Sequence, residues 1–264
     1  MTDIDANVAS LQFQIKLENT KKQELRVNLC FPNLTMEQRA LLSGSPDNIL
    51  HPNLDPELRA EHVVPLLRKT GELGTTLVDH QISKFATKFV NHFFANSRFY
   101  TKVAKGDFPS AARWHGHVRL FSHVLIFIPV LLELSGDSNH WLLVVIDVPK
   151  AQIRLYNSYA AFSSSRNERV LKLVKDYLIF LENSQIEQNI GVSHFETIDI
   201  STAPRQSDAV SCGVFVLTNM ALLAESRPLD YQQGHVFYAR RLLAQEVLSG
   251  DVFPRWQPMI YGYQ

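Results

Sequence analysis

The clearest pattern in the sequence is a series of apolar runs in its second half. Residues 124–132 form an unbroken apolar run, and a second run, rich in β-branched residues, follows at 141–146. A shorter run at 152–156 and another at 194–200 complete the set. Runs of this length and composition predict buried β-strands. A transmembrane helix needs roughly 20 apolar residues, so none of these runs predicts a membrane span.

Three segments of the same half have the spacing of helices. Residues 170–181 carry one apolar stripe and residues 236–247 carry another, so both predict amphipathic helices. Residues 214–223 are apolar on all sides, which predicts a helix buried in the core. Because the helices and strands do not alternate strictly, the pattern predicts an α+β fold.

An earlier helix is predicted from the residues that follow Gly74. Asp79 lies where an N-cap is expected, and apolar side chains recur after it at helical spacing, at positions 82, 85, 89, 90 and 93. Arg113 and Trp114 fall in a stretch without such spacing, which predicts a loop before the first long strand.

The first seventy residues have a different character. Prolines at positions 46, 52, 56 and 65 lie among glycine, asparagine and aspartate, a composition typical of loops. The sequence therefore predicts an N-terminal extension at residues 1–70 and a main domain at residues 71–264.

Composition and charge narrow the classes of partner. The 264 residues are 45% hydrophobic and 20% charged, as in an ordinary globular protein. Twenty-six Lys and Arg residues balance 26 Asp and Glu residues, so no net field attracts nucleic acid or an anionic membrane. We expect neither as a partner, and we expect the chain to act as a monomer.

The cysteine and histidine patterns argue against structural cross-links. Two cysteines, Cys30 and Cys212, are too few for a disulfide framework, which favours a reducing, intracellular compartment. The N-terminus shows no secretion signal. His115 and His117 form a His-x-His pair with no acid or cysteine cluster nearby, so we expect loop histidines, no metal site and no cofactor.

Cys212 is the one cysteine whose position suggests chemistry. It lies at the start of the predicted buried helix, where the helix dipole favours a thiolate. A small buried core residue is the competing interpretation. Gln206 lies six residues earlier, and its amide could donate to a developing oxyanion. A glutamine in a polar loop is otherwise ordinary solvated surface.

His140 and Asn157 are predicted to meet at the open end of a hairpin. Each lies eight residues from a turn at positions 148–149, so an antiparallel pair would bring them side by side. Asn157 would then orient the imidazole through its side-chain oxygen, although an asparagine often only caps a strand. Asp147 lies at the turn, roughly 20 Å from His140, and is the weaker candidate for that role.

The order of these residues resembles a known family. His140-Trp141 before an apolar strand, Asn157-Ser158 after the next strand, and Gln206 six residues before Cys212-Gly213 resemble the ubiquitin-like-protein proteases. These are the SUMO-protease type of papain-like cysteine peptidase. The resemblance covers about residues 75–250, and it is the set of motifs that is specific rather than any one of them.

The resemblance implies a fold, a reaction and a partner. The fold is papain-like α+β, with a central mixed or antiparallel sheet and the catalytic cysteine at the N-terminus of a buried helix. Cys212 is implied as the nucleophile, His140 as the base and Asn157 as its orienter, with Gln206 and the Cys212 N–H as the oxyanion hole. The reaction is hydrolysis after the Gly-Gly-type tail of a ubiquitin-like modifier, SUMO first and ubiquitin next, without a cofactor.

Three positions depart from the family pattern. Asn157 stands where the family usually has Asp, and an asparagine gives an imidazolium less electrostatic help, so Asn157→Asp is expected to be tolerated. Ser211 replaces the usual Asp before the cysteine. Thr76, in the segment Thr76-Leu77-Val78-Asp79, replaces one of two tryptophans that hold the modifier's tail. We expect substrate contacts from the remaining Trp141, from Thr76 and from Asp79.

Two alternatives from other classes stay open on sequence alone. Some bacterial effector acetyltransferases use the same Cys and His on a related scaffold, and they react with acetyl-coenzyme A. An inactive relative that only binds a modifier is the second alternative, with the changes at Asn157 and Thr76 as signs of lost activity.

Overall fold

A computed structural model describes the greater part of the chain. It covers residues 49–51 and 57–253, apart from 69, 117, 134–138 and 160–163, together with the isolated positions Gln14 and Met36. The chain divides into two compact units, residues 1–40 with 256–264 and residues 41–255, and every element below belongs to the second. Cys30, His117 and most of the predicted extension lie outside the described residues.

The described elements follow one another in a mixed order. The strands are β1 (Ile49–His51), β2 (Leu58–Arg59), β3 (Phe93–Phe94), β4 (Leu125–Glu133), β5 (Asn139–Asp147), β6 (Gln152–Tyr156) and β7 (Glu196–Asp199). The helices are α1 (Ala60–Leu67), α2 (Thr75–Lys88), α3 (Phe99–Ala104), α4 (Phe108–His115), α5 (Ser164–Asn183), α6 (Cys212–Ala224) and α7 (Val236–Ser249).

A five-stranded mixed sheet forms the centre, in the order β3-β4-β5-β6-β7. The three central strands, β4, β5 and β6, are antiparallel to one another, and the short outer strands β3 and β7 run parallel to β4 and β6. Strands β1 and β2 form a separate antiparallel pair. This mixture of a largely antiparallel sheet with unevenly spaced helices confirms the predicted α+β class.

Strand β5 is buried on both faces, and this fixes the position of two helices. Its residues Leu142, Val144 and Ile146 lie in one apolar cluster with Val174 and Leu178 of α5. Helix α6 packs against the strand from the other side. Because α6 is enclosed on nearly every side, its sequence is apolar around its whole circumference, as the pattern predicted.

The β5–β6 hairpin has a longer turn than the sequence suggested. Asp147 pairs with Gln152, so four residues, 148–151, form the connection, and Ala151 has a positive φ of 51°. The predicted register, with His140 opposite Asn157, is therefore wrong by two residues. An even shift keeps every side chain on its predicted face, so both residues still reach the same end of the hairpin.

The predicted N-cap at Asp79 is also wrong. Helix α2 begins at Thr75, with Gly74 as its N-cap, and it ends at Lys88, so Phe93 belongs to β3 instead. The Asp79 carboxylate accepts hydrogen bonds from the backbone N–H and the hydroxyl of Ser97, at 2.6 and 2.8 Å. A distant loop, rather than the helix end, satisfies this side chain.

The predicted loop around Arg113 and Trp114 is helix α4 in the structure. Asp107 caps this helix by accepting a hydrogen bond from the Ser110 N–H at 3.3 Å. His115, in the last turn, is a buried residue rather than a loop histidine, and its Nε2 lies 3.0 Å from the hydroxyl of Tyr177. The helix is too short to show a repeated apolar stripe.

The N-terminal boundary stays a prediction. Helix α1 lies before residue 71, yet it packs on α7 within the same compact unit. In the part of the chain that the structure describes, every helix is too short or too polar to cross a membrane.

We expect Asp147→Ala to lower stability rather than chemistry. The buried Asp147 carboxylate accepts a hydrogen bond from Arg154 at 2.6 Å and another from the Lys150 N–H at 3.2 Å. Loss of these partners should lower the free energy of unfolding by about 1–3 kcal/mol in urea titrations. The control is Asp176→Ala, whose exposed pair with Lys172 should contribute less than about 1 kcal/mol. Equal losses in the two variants would contradict the expectation.

Candidate active site

Helix α6 meets strand β5 at the helix's first turn. Cys212 is the first residue of α6, and its side chain is only 3% exposed. A Cβ on the next residue, Gly213, would lie 3.0 Å from Leu73 Cβ and 3.3 Å from Trp141 Cδ1. Any larger residue at 213 would therefore push these neighbours apart. The glycine lets the helix bring the thiol beside the start of β5.

The environment of Cys212 keeps the thiol protonated. Burial raises the pKa of the thiol above its usual range, and the nearby Glu72 carboxylate acts in the same direction. The backbone N–H groups of Trp141 and Gly213 point to the sulfur and act in the opposite direction. Because burial is the largest effect, Cys212 is a neutral thiol near neutral pH in the unliganded protein.

The hydrogen bonds of Asn157 define the tautomer of His140. His140 Nε2 lies 3.0 Å from Asn157 Oδ1, and the backbone N–H of Tyr159 donates to the same oxygen at 2.9 Å. Asn157 Nδ2 donates to Asn167 Oδ1 at 3.1 Å. A backbone N–H can only donate, so the amide oxygen must be on this side. Nε2 of His140 therefore carries the hydrogen, and Nδ1 carries the lone pair.

Burial also lowers the pKa of His140, while the hydrogen bond to Asn157 acts in the opposite direction. The imidazole is therefore neutral at neutral pH. The Tyr159 ring, whose centroid lies 5.8 Å from that of the imidazole, lies beside it. A neutral thiol and a neutral imidazole with its lone pair on Nδ1 can act as a nucleophile with a general base.

Two hydrogen bonds to Ser158, the residue after Asn157, hold Gln206 close to Asn157. Its backbone N–H donates to the Ser158 carbonyl at 2.7 Å, and the Ser158 hydroxyl donates to its Oε1 at 2.6 Å. Its Nε2 donates to the Asp208 carbonyl at 2.7 Å. An amide nitrogen carries two hydrogens, so the second can donate to an oxyanion.

The loop before Cys212 is organised by a half-buried carboxylate that sequence reasoning missed. Asp208 accepts hydrogen bonds from the Ser211 N–H and hydroxyl at 2.8 and 2.7 Å, and from Gln233 at 2.7 Å. Burial alone would raise the pKa of Asp208, but these bonds and one from the Val210 N–H hold it below its usual value. Asp208 thus supplies a carboxylate close to the position where Ser211 departs from the family pattern.

Arg240 is a second residue that the sequence did not single out for this site. It lies on α7, is 1% exposed, and donates to the Ser211 hydroxyl at 3.2 Å. Its other terminal nitrogen donates to the carbonyls of Pro65 and Gly71, at 3.1 and 2.7 Å. One guanidinium thus joins the loop before the thiol to the segment before α2. Its position in the apolar stripe of α7 was the available signal.

The three predicted substrate contacts lie in different surroundings. The Trp141 indole is buried, and its N–H donates to the Leu73 carbonyl at 3.0 Å. Thr76 is the second residue of α2 and is half-buried. Both carboxylate oxygens of Asp79 accept hydrogen bonds from Ser97. Trp141 lies against Gly213, the residue after Cys212, and its partner Leu73 is a neighbour that the sequence did not suggest.

Known proteins have sequences similar to this chain. The sequence profile described as "Ulp1 protease family, C-terminal catalytic domain" matches residues 63–251. Sentrin-specific protease 3 of Mus musculus is 28% identical over 158 residues, which is 59% of this chain and 26% of that protein. Ubiquitin-like-specific protease 1 of Saccharomyces cerevisiae is 23% identical over 179 residues, 67% of this chain and 27% of that protein. The chain thus matches about a quarter of the length of these relatives.

Solved structures share the fold. The crystal structure of the C-terminal Ulp1 protease domain, in complex with Smt3, the yeast ortholog of SUMO, superposes with a TM-score of 0.70. That likeness covers 83% of this chain and 96% of that chain at 22% sequence identity. It supports the papain-like α+β architecture that the sequence motifs implied.

The burial of the thiol predicts a distinctive pH profile for alkylation. Because only the thiolate reacts, the rate of Cys212 alkylation by iodoacetamide should still be rising above pH 8.5, about the pKa of a free cysteine. The rate is measured by mass spectrometry of the Cys212 peptide in the unliganded protein. A plateau that is complete by neutral pH would instead indicate a preformed thiolate–imidazolium pair.

Proposed function

Because this chain belongs to the Ulp1 protease family, we propose that it is a cysteine protease that hydrolyses the bond after the tail of a ubiquitin-like modifier. The observation that carries the proposal is the polarity of the His140–Asn157 hydrogen bond. It leaves a basic nitrogen on a histidine whose neighbour along the chain, Trp141, touches the buried thiol of Cys212.

The first half of the reaction forms a thioester. The Cys212 sulfur attacks the carbonyl carbon of the substrate's last tail residue as its proton moves to His140 Nδ1. The carbonyl π electrons move to the oxygen, where the Cys212 N–H and the second Gln206 amide hydrogen donate to the oxyanion. When the intermediate collapses, the C–N bond breaks and His140 Nδ1 returns its proton to the leaving amine.

The second half releases the modifier. Water attacks the thioester carbonyl while His140 Nδ1 takes one of its protons, and the oxyanion again meets the same donors. Collapse expels the Cys212 sulfur, which regains a proton from His140, and the tail leaves as a carboxylic acid. Asn157 accepts from Nε2–H throughout and keeps the imidazole in the productive orientation.

The substrate we propose is SUMO or a close ubiquitin-like relative, with ubiquitin next. Support comes from the sentrin-specific and ubiquitin-like-specific proteases that the chain resembles, and from the Smt3 complex whose fold it shares. Both maturation of a precursor and removal from a conjugate fit the same chemistry. A free thiol nucleophile stays reduced most readily in a reducing compartment, which supports an intracellular location. The proposed site lies within residues 71–264.

The tail would approach through the region bounded by Trp141, Leu73 and Thr76. Trp141 lies against Gly213, the residue that follows Cys212. A match to a protease family does not favour the acetyltransferase alternative. The ordered His140–Asn157 pair does not favour the inactive alternative.

The first test uses a panel of C-terminal electrophilic probes made from ubiquitin and several SUMO-like proteins. The wild-type chain should form a covalent adduct with at least one probe. Cys212→Ala should abolish the adduct and all hydrolysis, whereas Cys30→Ala is the matched control and should react as the wild type does. An adduct formed by a folded Cys212→Ala variant would overturn the proposed nucleophile.

The second test concerns the region bounded by Trp141, Leu73 and Thr76, through which the tail would approach. Removal of the Trp141 indole deletes up to about 150–250 Å² of apolar contact surface, so Trp141→Ala should lower kcat/KM on a diglycine-tailed substrate by about 10–100-fold. Trp114→Ala is the matched control, because that indole is 45% exposed on α4. Thr76→Trp should lower KM by restoring the second aromatic wall. A Trp141→Ala variant that cleaves at the wild-type rate would refute this placement of the tail.

A further inference from the structure

A line of side-chain hydrogen bonds continues from Asn157 to the protein surface. Asn157 Nδ2 donates to Asn167 Oδ1 at 3.1 Å, and Asn167 Nδ2 donates to Asp199 Oδ2 at 2.8 Å. Asn157 and Asn167 are buried, whereas Asp199, the last residue of β7, is exposed. The line therefore connects the imidazole of His140, through two buried amides on different elements, to a solvated carboxylate.

The carboxylate requires the same direction for every bond in this line that the Tyr159 N–H requires at Asn157. An ionised Asp199 only accepts, so Asn167 must turn its Nδ2 toward it and its Oδ1 toward Asn157. Asn157 must then present its Nδ2 to Asn167 and its Oδ1 to His140. His140 in turn must carry its hydrogen on Nε2. The negative charge of Asp199 and the Tyr159 N–H thus favour the same tautomer of His140, and the charge lies three hydrogen bonds from the imidazole.

We propose that Asn167 and Asp199 are positioning residues that supply, through Asn157, the anion that the family's aspartate usually places directly on the histidine. This inference rests on the proposed function, because it concerns the moment at which His140 becomes an imidazolium. A positive charge on the imidazole polarises the two amides toward Asp199, and each bond of the line strengthens. The imidazolium therefore still has a negatively charged partner, but that partner is the Asp199 carboxylate at the surface.

The same line explains why asparagine occupies position 157. An aspartate there would have only acceptors, and the Asn167 amide would stand between two carboxylates with only one end that donates. Asn167 Oδ1 would then face a carboxylate oxygen on one side or the other. The expectation from sequence that Asn157→Asp is tolerated therefore reverses. An aspartate fits position 157 only if residue 199 loses its charge, because Asn167 can then turn over.

The decisive experiment transfers the carboxylate from position 199 to position 157. Asn157→Asp alone should lower kcat by about tenfold, because the new carboxylate would face Asn167 Oδ1 and neither oxygen can donate. Asp199→Asn alone should also lower kcat by about tenfold, with KM unchanged, since the line loses its charged end. The double variant Asn157→Asp/Asp199→Asn should recover most of the wild-type kcat. Glu196→Gln, at the other end of β7, is the matched control and should leave kcat unchanged.

The kinetic result that overturns the inference is equally specific. If Asn157→Asp alone is as active as the wild type, and Asp199→Asn changes nothing in either background, Asp199 has no part in positioning His140. Two losses that simply add in the double variant would overturn it as well, because general destabilisation adds whereas a transposed charge compensates.

A measurement that needs no substrate separates this inference from the proposed function. In ¹⁵N-labelled protein carrying Cys212→Ala, His140 should be the Nε2–H tautomer, and Asp199→Asn should lower its pKa without changing the tautomer, because the Tyr159 N–H still holds the Asn157 amide. The His140 signals are assigned from the spectrum of a His140→Gln variant. A His140 pKa unaffected by Asp199→Asn would refute the line even if probes label Cys212. A responsive histidine in a chain that no probe labels would instead refute the proposed function.

Discussion

The contact between the first turn of α6 and the start of β5 is the constraint on which the site depends. Gly213 allows the helix to approach until Leu73 and Trp141 close around it, and the thiol of Cys212 then comes beside the backbone of Trp141. Because His140 precedes Trp141, the same contact fixes the position of the Cys212 thiol relative to the His140 imidazole. The apolar circumference of α6 and the buried faces of β5 supply the packing that holds this approach in place.

Hydrophobic periodicity was sufficient for the elements that form the core. The strands at β4, β5 and β6 and the helices α5, α6 and α7 were all predicted from it, because each buries a long and regular apolar surface. The short helix α4 and the start of α2 were not, because α4 has only eight residues and the Asp79 carboxylate, which looked like an N-cap, instead accepts hydrogen bonds from Ser97 across the chain. Such contacts leave no periodic trace in a sequence.

The sequence predicted which residues form the candidate site, but not the polar residues that hold them in place. The meeting of His140 with Asn157 followed from counting along the hairpin, and it survived a register error because the error was even. Asp208, Arg240 and Asn167 could not be assigned in this way, since the sequence does not show which distant groups a polar side chain will bind in the folded protein. Arg240 came nearest, because its charge interrupts an apolar helical stripe, and a buried charge requires partners.

The burial of Cys212 has a consequence for the chemistry of peroxides. Oxidation to sulfenic acid proceeds through the thiolate, and at neutral pH the thiol's raised pKa leaves little of that form in the unliganded protein. The Cys212 thiol is therefore protected from peroxide by its protonation state as well as by its burial. Under the proposed mechanism, the sulfur becomes reactive when His140 accepts its proton, so the unliganded protein is the form that resists oxidation.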